Sequence, residues 1–365
     1  MWFETNATRS LKIAYPIVQG PFGGGQSSVE LTAAVSNLGG LGSFGAHIYE
    51  PGQIRDFIAR IRERTRSPFA INLWVDNADP ALADFDRAAF ERHVDRMRPH
   101  YSVLGLEPPE YPNRFGQSFE EQVEALLEAA PPVFSFVFGI PSPQILDACR
   151  ARGIVTIGNA TTTEEARAIE AAGIDIVLAT GSDAGGHRVS FLAPPENSLV
   201  GTFSLIAQVR DAVRIPVVAA GGIVDGRGIA AALTLGADGV QIGTAFLACD
   251  ESGASPLHRT AMFSDRARHT TLTRAWTGRL ARAIRTDFSE QMAAHEGDIA
   301  PYPAQNWLTS GLRTAAVAQG RGDLIAVYAG QSAPLLRHRT ASGLFSALIA
   351  ETERSLQIAA ARLQC

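Results

Sequence analysis

A histidine that follows two glycines is the first candidate for chemistry in this chain. The stretch ATGSDAGGHR, residues 179–188, places Gly185 and Gly186 directly before His187, at the end of the apolar run IDIVLA. An imidazole titrates near neutral pH, so it can accept a carbon-bound proton or, once charged, pair with an anion. Glycines allow the backbone to approach a flat ligand closely. His187 is therefore either a reactive residue beside a bound ring or a loop histidine hydrogen-bonded within its own loop, and for a lone histidine the second role is the usual one.

The remaining reactive side chains predict little further chemistry. Lys12 is the only lysine and precedes the first predicted strand, at the wrong end of a barrel, so Schiff-base and pyridoxal chemistry are not expected. Cys149, Cys249 and Cys365 are widely spaced and odd in number, which argues against disulfides or a zinc site and favours a reducing cytoplasm. No H-x-x-x-H motif or acidic cluster predicts a metal. Structural roles are expected for the other seven histidines: His47, His93, His100, His258, His269, His295 and His338.

Composition narrows the class of protein. The chain has 365 residues, a formal net charge of −5 and 46% hydrophobic residues, as in soluble globular proteins. Without a basic excess, nucleic acid is not an expected partner. No apolar run is long enough for a bilayer span, and MWFETNATRSLK lacks the apolar stretch of a secretory signal. We expect a cytoplasmic protein with small-molecule partners. Its oligomeric state stays open, a homo-oligomer included.

Short β-rich runs alternate with helical patterns over the first 250 residues, which predicts a parallel sheet. The runs are apolar on both faces, as in strands covered by helices. Eight strands are predicted, at residues 16–20, 41–46, 69–75, 133–139, 154–159, 176–181, 216–222 and 239–247. Eight such units favour an α/β fold of the (β/α)8 TIM-barrel type. A doubly wound sheet is disfavoured because no G-x-G-x-x-G follows the first strand.

Helix boundaries are marked by capping residues. Ser27 with Glu30 predicts a helix start, and so does Thr161 with Glu164. Ser142 before a proline and Asp225 predict two further N-caps. The glycines at 39, 153, 173 and 236 are expected to end these four helices.

Two segments interrupt the repeat. Residues 76–132 form a long charged connection, helical in part, and residues 250–325 follow the eighth strand. The latter include RHTTLTRAWTGRLARAIRTDF, which we interpret as helical, with the arginines of 266–285 on a solvated face. The predicted domains are a barrel of residues 1–250 with 326–365 and a small helical domain of residues 251–325 covering its mouth. A last helix at 342–363 is expected to complete the barrel wall.

The residues at the ends of the predicted strands indicate the ligand. Glycines follow both the seventh strand (AAGGIVDGRG, 219–228) and the eighth (Gly243-Thr244), where barrels commonly bind phosphate through backbone N–H groups. Tight turns alone would also need glycines, but both phosphate-type turns carry them. The other strand ends are neutral: Gln19-Gly20, Asn72, Gly139, Asn159 and Thr180. Phosphate beside a neutral, amide-lined pocket predicts a flavin mononucleotide (FMN).

Four ordered motifs extend this interpretation. LTAAVSNLGGLGSFGA, ATGSDAGGHR, PVVAAGGIVDGRGIAAALTLGADGVQIGTAFL and LTRAWTGRLARAI, with the later YAGQSAPLL, resemble nitronate monooxygenases, formerly called 2-nitropropane dioxygenases. The resemblance covers most of the chain. It implies FMN in a barrel with a helical second domain, and it matches His187 to the family's catalytic histidine. It also implies flavin contacts at Gly20, Asn72, Thr180, Gly185, Gly222, Gln241, Gly243 and Thr244.

The activity implied by the resemblance is oxidation of alkyl nitronates by FMN and O2, giving a carbonyl compound and nitrite. His187 would act as base toward neutral nitroalkanes or as partner of the nitronate anion. An NAD(P)H-dependent enoyl-thioester reductase of the same superfamily remains an alternative. A phosphosugar isomerase or lyase, or a flavin-binding barrel without turnover, would share only part of the pattern, and the missing lysine and acid pair count against the former.

The chain departs from the family pattern at three places. GPFGGGQSS lacks the methionine that many members carry after the proline, and Thr180 stands where glutamine is common. The ending RAIRTDF replaces an arginine-asparagine pair. The first two departures concern the pocket and so bear on the identity of the substrate.

Overall fold

Eight parallel strands form a closed barrel in the computed structural model, which describes residues 1–75 and 79–362. The strands are Ile17–Gln19, Gly42–Gly45, Phe69–Trp74, Val133–Val137, Val155–Ala160, Ile176–Thr180, Val217–Ala220 and Gly239–Ile242. Each pairs with its neighbour, the first pairs with the eighth (Ile17 opposite Val240), and a bridge from Val18 to Leu41 joins the first to the second. The predicted TIM barrel is confirmed. The eighth strand shows the largest error in length, five residues, because the chain turns into a short helix at Thr244.

Helices alternate with these strands along the chain. Those between or after the barrel strands are Val29–Asn37, Pro51–Arg64, Phe119–Ala129, Pro143–Ala151, Thr163–Ala171, Thr202–Ala212, Gly226–Thr234 and Ala341–Ala361. The others are Asn6–Leu11, Arg87–Val103, Thr244–Leu247, Pro256–Met262, Asp287–Ala293 and Ala304–Ala318, with short 3-10 turns at Pro80–Leu82, Pro195–Ser198, Asp265–Arg268, Glu296–Asp298 and Ala333–Leu335. Within the described ranges, no helix is long and apolar enough to cross a membrane.

The C-terminal helix completes the barrel wall, as predicted. Ala341–Ala361 packs against Gly226–Thr234 and Val29–Asn37, the helices that follow the seventh and first strands. Position 363, the end of the predicted helix, lies outside the described residues, as does Cys365. Cys149 and Cys249 are both buried and free, as expected of packing residues.

The predicted N-caps are right at two helices and displaced by one residue at two others. Ser142 and Asp225 accept the expected backbone N–H bonds. The helix that starts at Val29 is capped by Ser28, not Ser27, and the helix that starts at Thr163 is capped by Thr162, not Thr161. The predicted residues have other partners. The Ser27 hydroxyl bonds the backbone of Phe22 and Gly45, and Thr161 donates to the Glu165 carboxylate. All four predicted end glycines adopt positive φ.

The amino end of the barrel is filled by apolar side chains. Val18, Leu41, Ala70, Ile157, Leu178 and Val218 form one buried cluster there with Ala7 and Leu11 of the N-terminal helix. Lys12 directly follows that helix. The single lysine therefore lies away from the carboxyl ends of the strands, where barrel active sites form.

Residues 268–288 were expected to be helical, and that expectation is wrong. Thr270–Thr273 and Ala281–Ile284 form an antiparallel hairpin, and the second strand pairs with Gly186–His187. β-branched threonines favour strands, and Gly278 at φ +84° provides the turn conformation that other residues avoid. The segment between the eighth strand and the C-terminal helix is thus mixed α and β. Its hairpin lies directly beside His187.

Candidate active site

All nine predicted site residues line one cavity of about 210 Å3 at the carboxyl ends of the strands. The set comprises His187 and the residues predicted to contact flavin: Gly20, Asn72, Thr180, Gly185, Gly222, Gln241, Gly243 and Thr244. They come from the first, third, sixth, seventh and eighth strands or the loops that follow. Among the described residues, no group of His, Cys, Asp or Glu side chains is arranged to hold a metal ion.

One end of the cavity is built from glycines after the seventh and eighth strands. Gly222 has φ +68°, and a Cβ at Gly243 would meet nothing within 4 Å, so the cavity is open at that position. The Thr244 hydroxyl accepts a hydrogen bond from the backbone N–H of Gly330 (2.9 Å), which leaves its own proton for a ligand. Ser332 donates to the carbonyl of Gly222 (2.6 Å). This end offers hydroxyl groups and open backbone, as a phosphate requires.

Gly185 has a role that the sequence did not indicate. A Cβ at this position would lie 2.5 Å from the backbone of Ala329 and Gly330. The glycine therefore allows the loop after the sixth strand to contact the segment that carries Ser332. Ser332 itself belongs to the motif YAGQSAPLL, but no residue type in that motif marked it as part of the site.

The deeper wall of the cavity carries polar atoms without partners. Thr180 Oγ1 and Asn159 Oδ1 are buried and make no hydrogen bond within the described structure, whereas Asn72 Nδ2 donates to Ser135 Oγ (3.0 Å). A buried polar atom without a partner costs about 1–3 kcal/mol, so such atoms are normally satisfied by a ligand or water. A flat ring with carbonyls and ring nitrogens at its edge supplies the missing partners. The residues present therefore fit a flavin.

A buried arginine and a buried glutamate stabilise the loop that carries His187 through hydrogen bonds to its backbone. Arg188 donates to the carbonyls of Thr180, Gly181 and Ser198. The Glu165 carboxylate accepts from Thr161 and from the backbone N–H groups of residues 191 and 192. With both ionic side chains so bonded, the backbone around His187 is fixed on either side.

His187 lies among aromatic rings. Its Nε2 is 2.9 Å from the hydroxyl of Thr277, and the indole of Trp74 meets its ring edge-on with 5.0 Å between centroids. The pKa of His187 is lowered from 6.5 to about 3. Burial is the largest cause, and electrostatic interactions with Arg279, His47 and Arg313 lower the pKa further. The imidazole is therefore neutral at pH 7, with one ring nitrogen unprotonated.

His47 was expected to be structural, and the structure places it in the cavity instead. Its ring stacks on Trp74 with 3.8 Å between centroids, and burial lowers its pKa to about 3. Its Nδ1 is buried without a hydrogen-bond partner in the described structure. Trp74 and His47 were missed because nothing in the local sequence marks two residues 27 positions apart as neighbours.

The solvated arginine face predicted for residues 266–285 is wrong at two positions. The Arg279 guanidinium lies over the rings of Phe138 and Tyr302, 3.9 Å from each centroid. Arg282 is 7% exposed and donates to the carbonyl of Ser182. The segment is a hairpin whose second strand, Ala281–Ile284, is buried throughout, so Arg282 is not on a solvated face; Arg279 lies in the loop that precedes this strand.

The inner cavity is electropositive. Among the described residues that line it, Arg313 is the one with a charged side chain. Its guanidinium donates hydrogen bonds to the Asn306 side chain and the Thr309 carbonyl. The buried Tyr328 hydroxyl, without a partner in the described structure, lines the same wall. A larger chamber of about 950 Å3 adjoins this wall and shares His47, Trp74, Arg313 and Tyr328 with it. An anion entering through the chamber meets a cationic wall.

The fold is a (β/α)8 barrel whose cavity fits a flavin, and comparison with known proteins identifies the family. A family model described as nitronate monooxygenase matches residues 4–351. The probable nitronate monooxygenase of Staphylococcus aureus (strain Newman) is 41% identical over 358 residues, which is 98% of this chain and 99% of that protein. The chain belongs to the nitronate monooxygenase family, whose enzymes are flavin-dependent oxidoreductases.

Solved structures agree with this assignment. A nitroalkane oxidase from Streptomyces ansochromogenes superposes with a TM-score of 0.88 at 38% identity, over 97% of this chain and 99% of that one. FabK from Thermotoga maritima superposes with a TM-score of 0.77 at 28% identity, over 98% and 99% of the two chains. The nitroalkane oxidase and FabK thus both share the barrel architecture of this chain.

Proposed function

We propose that this protein is an FMN-dependent nitronate monooxygenase that uses O2 to convert alkyl nitronates, and neutral nitroalkanes, to carbonyl compounds and nitrite. One observation carries the proposal. A neutral imidazole, that of His187, lies in a glycine-walled cavity that is also lined by the positively charged Arg313. A neutral base and a cationic wall suit a substrate that is a weak carbon acid and becomes an anion.

The cofactor would be held along the cavity from its glycine end to its polar end. Gly222, Gly243 and Thr244 would receive the phosphate, with Ser332 fixing the backbone of Gly222 by its hydrogen bond, and Asn72, Asn159, Thr180 and Gln241 would meet the ring edge. Gly20 and Gly185 allow the close approach of neighbouring loops. When bound, FMN supplies the electron transfer that the side chains of this cavity cannot perform.

The protein's own residues prepare the substrate. His187 accepts the proton of the carbon bearing the nitro group when the substrate enters neutral. Arg313 and the Tyr328 hydroxyl line the wall where the negative oxygens of the nitronate would lie. Trp74 and His47 exclude water from one side of the reacting carbon.

The proposal is tested with purified protein. A yellow protein whose released cofactor has the mass of FMN, together with nitrite formation and O2 consumption on ethyl nitronate, is the expected result. Absence of nitrite and of O2 consumption with both ethyl nitronate and propyl-2-nitronate would overturn it. Anaerobic mixing with NADH separates the enoyl-thioester reductase, since rapid bleaching of the flavin is expected only of the reductase.

A further inference from the structure

The hydroxyl of Thr277 is the hydrogen-bond partner of His187. Thr277 Oγ1 lies 2.9 Å from His187 Nε2, and the threonine is 4% exposed. It belongs to LTRAWTGRLARAI, one of the motifs that resemble those of nitronate monooxygenases. A buried hydroxyl at this distance from a reactive imidazole decides which ring nitrogen carries the proton.

The position of Thr277 is fixed by its own turn. Its Oγ1 accepts from the backbone N–H of Arg279 and also lies 3.3 Å from the Arg279 carbonyl, as in a turn closed by a threonine side chain. Gly278, at φ +84°, is packed so closely that a Cβ would lie 2.5 Å from the carbonyl oxygen of Ala300. The turn thus has little freedom to move away from His187.

The same hairpin also holds the histidine. Ala281, four residues after Thr277, is paired with His187 in the small sheet, and the His187–Thr277 contact joins the same histidine to the loop that precedes Ala281. Backbone pairing and side-chain contact therefore reinforce each other. A shift of either partner would break both.

Counting protons favours one direction for the His187–Thr277 hydrogen bond. A threonine hydroxyl has one proton, and the Arg279 carbonyl can only accept it. When that proton goes to the carbonyl, Thr277 Oγ1 accepts from His187 Nε2–H, and this is the arrangement in which all three contacts of Oγ1 are hydrogen bonds at once. In the neutral imidazole, Nδ1 then carries the free lone pair.

We propose that Thr277 is a positioning residue that holds His187 in the Nε2–H tautomer, so that Nδ1 is the atom that takes the substrate's proton. In that step the C–H bond next to the nitro group breaks and an N–H bond forms at Nδ1. The C–H electron pair moves into the nitro group, and the product is the nitronate. This inference rests on the proposed function for the identity of the substrate, but not for the hydrogen bond itself.

The hydrogen bond is tested on the FMN-loaded enzyme by nuclear magnetic resonance of 15N-labelled histidine, with His187→Asn identifying the His187 signals. The nitrogen shifts are expected to report the Nε2–H tautomer in the wild type and a change toward Nδ1–H in Thr277→Val. Thr277→Ser is expected to keep the wild-type tautomer. Nδ1–H in the wild type, or an unchanged tautomer in Thr277→Val, would overturn the inference, and the wild-type measurement stands even where that variant fails to fold.

Kinetics provide the second readout. A preformed nitronate needs no base, whereas a neutral nitroalkane does. Thr277→Val is therefore expected to lower kcat/KM for nitroethane about 10- to 100-fold while changing that for ethyl nitronate little. Thr271→Val, whose hydroxyl bonds the carbonyl of Leu272 on the same hairpin, is the control and should leave both values unchanged.

The two readouts separate failure of the inference from failure of the proposed function. A wild type that makes no nitrite from either substrate contradicts the proposed function, while the tautomer measurement still decides the role of Thr277. A wild type active on both substrates, with equal ratios in Thr277→Val, contradicts the inference alone.

Discussion

The rings of His47 and Trp74 lie parallel, with 3.8 Å between their centroids and 6° between their planes. The same indole meets His187 edge-on. One tryptophan therefore packs against both histidines of the cavity and keeps water from them. Desolvation is the largest cause of the lowered pKa at both imidazoles, so this packing helps to keep both rings neutral.

Replacing His187 by asparagine should remove the base and leave the cavity. We expect kcat/KM on nitroethane to fall by about 10²-fold or more, the scale of general-base catalysis, with FMN retained. Nitrite assays and the flavin absorbance measure the two effects. His269→Asn is the matched control because His269 is exposed, and it should behave as wild type. Wild-type turnover of nitroethane in His187→Asn would contradict the assigned role.

The pH profile of nitroethane turnover should lack a limb near pH 6.5. Protonation of His187 abolishes the base, but with its pKa lowered to about 3 by burial, Arg279, His47 and Arg313, the imidazole stays neutral well below neutrality. We expect kcat/KM to stay level from pH 7 down to pH 5. A fall centred near 6.5 would show that the ring is solvated during turnover.

Acid should destabilise the fold between pH 6.5 and pH 5. His47, His187 and His258 have pKa values lowered to about 3, 3 and 4, chiefly by burial, so in this window the unfolded chain binds protons that the folded chain does not. Stability should therefore fall as pH falls. His258, which is 1% exposed, should by itself contribute about 1.4 kcal/mol per pH unit to the slope of the unfolding free energy against pH. Urea unfolding at pH 7, 6 and 5 measures it, and a free energy of unfolding that stays constant would contradict the burial of neutral histidines.

The barrel was predictable because its signals are local. Each strand is one apolar run, and glycines or capping residues mark most helix ends, so the carboxyl ends of the strands follow from counting. The nine site residues near those ends were selected through the family resemblance. The errors of one residue at Ser27 and Thr161 arise because the hydroxyls of these residues bond groups elsewhere in the fold, Gly45 and Ser190, and the next residue caps the helix instead.

The hairpin was not predictable by the same means. Its second strand pairs with Gly186–His187, almost a hundred residues earlier in the chain, and arginines along it suggested a solvated helix. Without that pairing, Thr277 and Arg279 had no visible relation to His187. The stacking of His47 on Trp74 is hidden for the same reason, since both contacts are made only by tertiary structure.

Arg313 should govern affinity for anionic substrates. Its guanidinium lines the inner cavity and is held by Asn306, so Arg313→Gln should raise KM for ethyl nitronate by about 10-fold while changing that for neutral nitroethane less. Arg313→Lys keeps the charge and is expected to restore part of the affinity. Equal effects of Arg313→Gln on the two substrates would indicate a packing role instead. Steady-state kinetics on both substrates decide between these outcomes.

Substitution of Gly243 should affect ligand binding but not folding. An added Cβ there meets no protein atom within 4 Å, and its φ of −94° suits alanine, so Gly243→Ala should fold as the wild type does. If backbone at this turn receives the FMN phosphate, the methyl group should weaken FMN binding about 10-fold or more, measured by fluorescence titration of the apoprotein. Gly311→Ala is the control, because its Cβ also meets open space but lies on the helix Ala304–Ala318. Unchanged FMN affinity in Gly243→Ala would place the phosphate elsewhere.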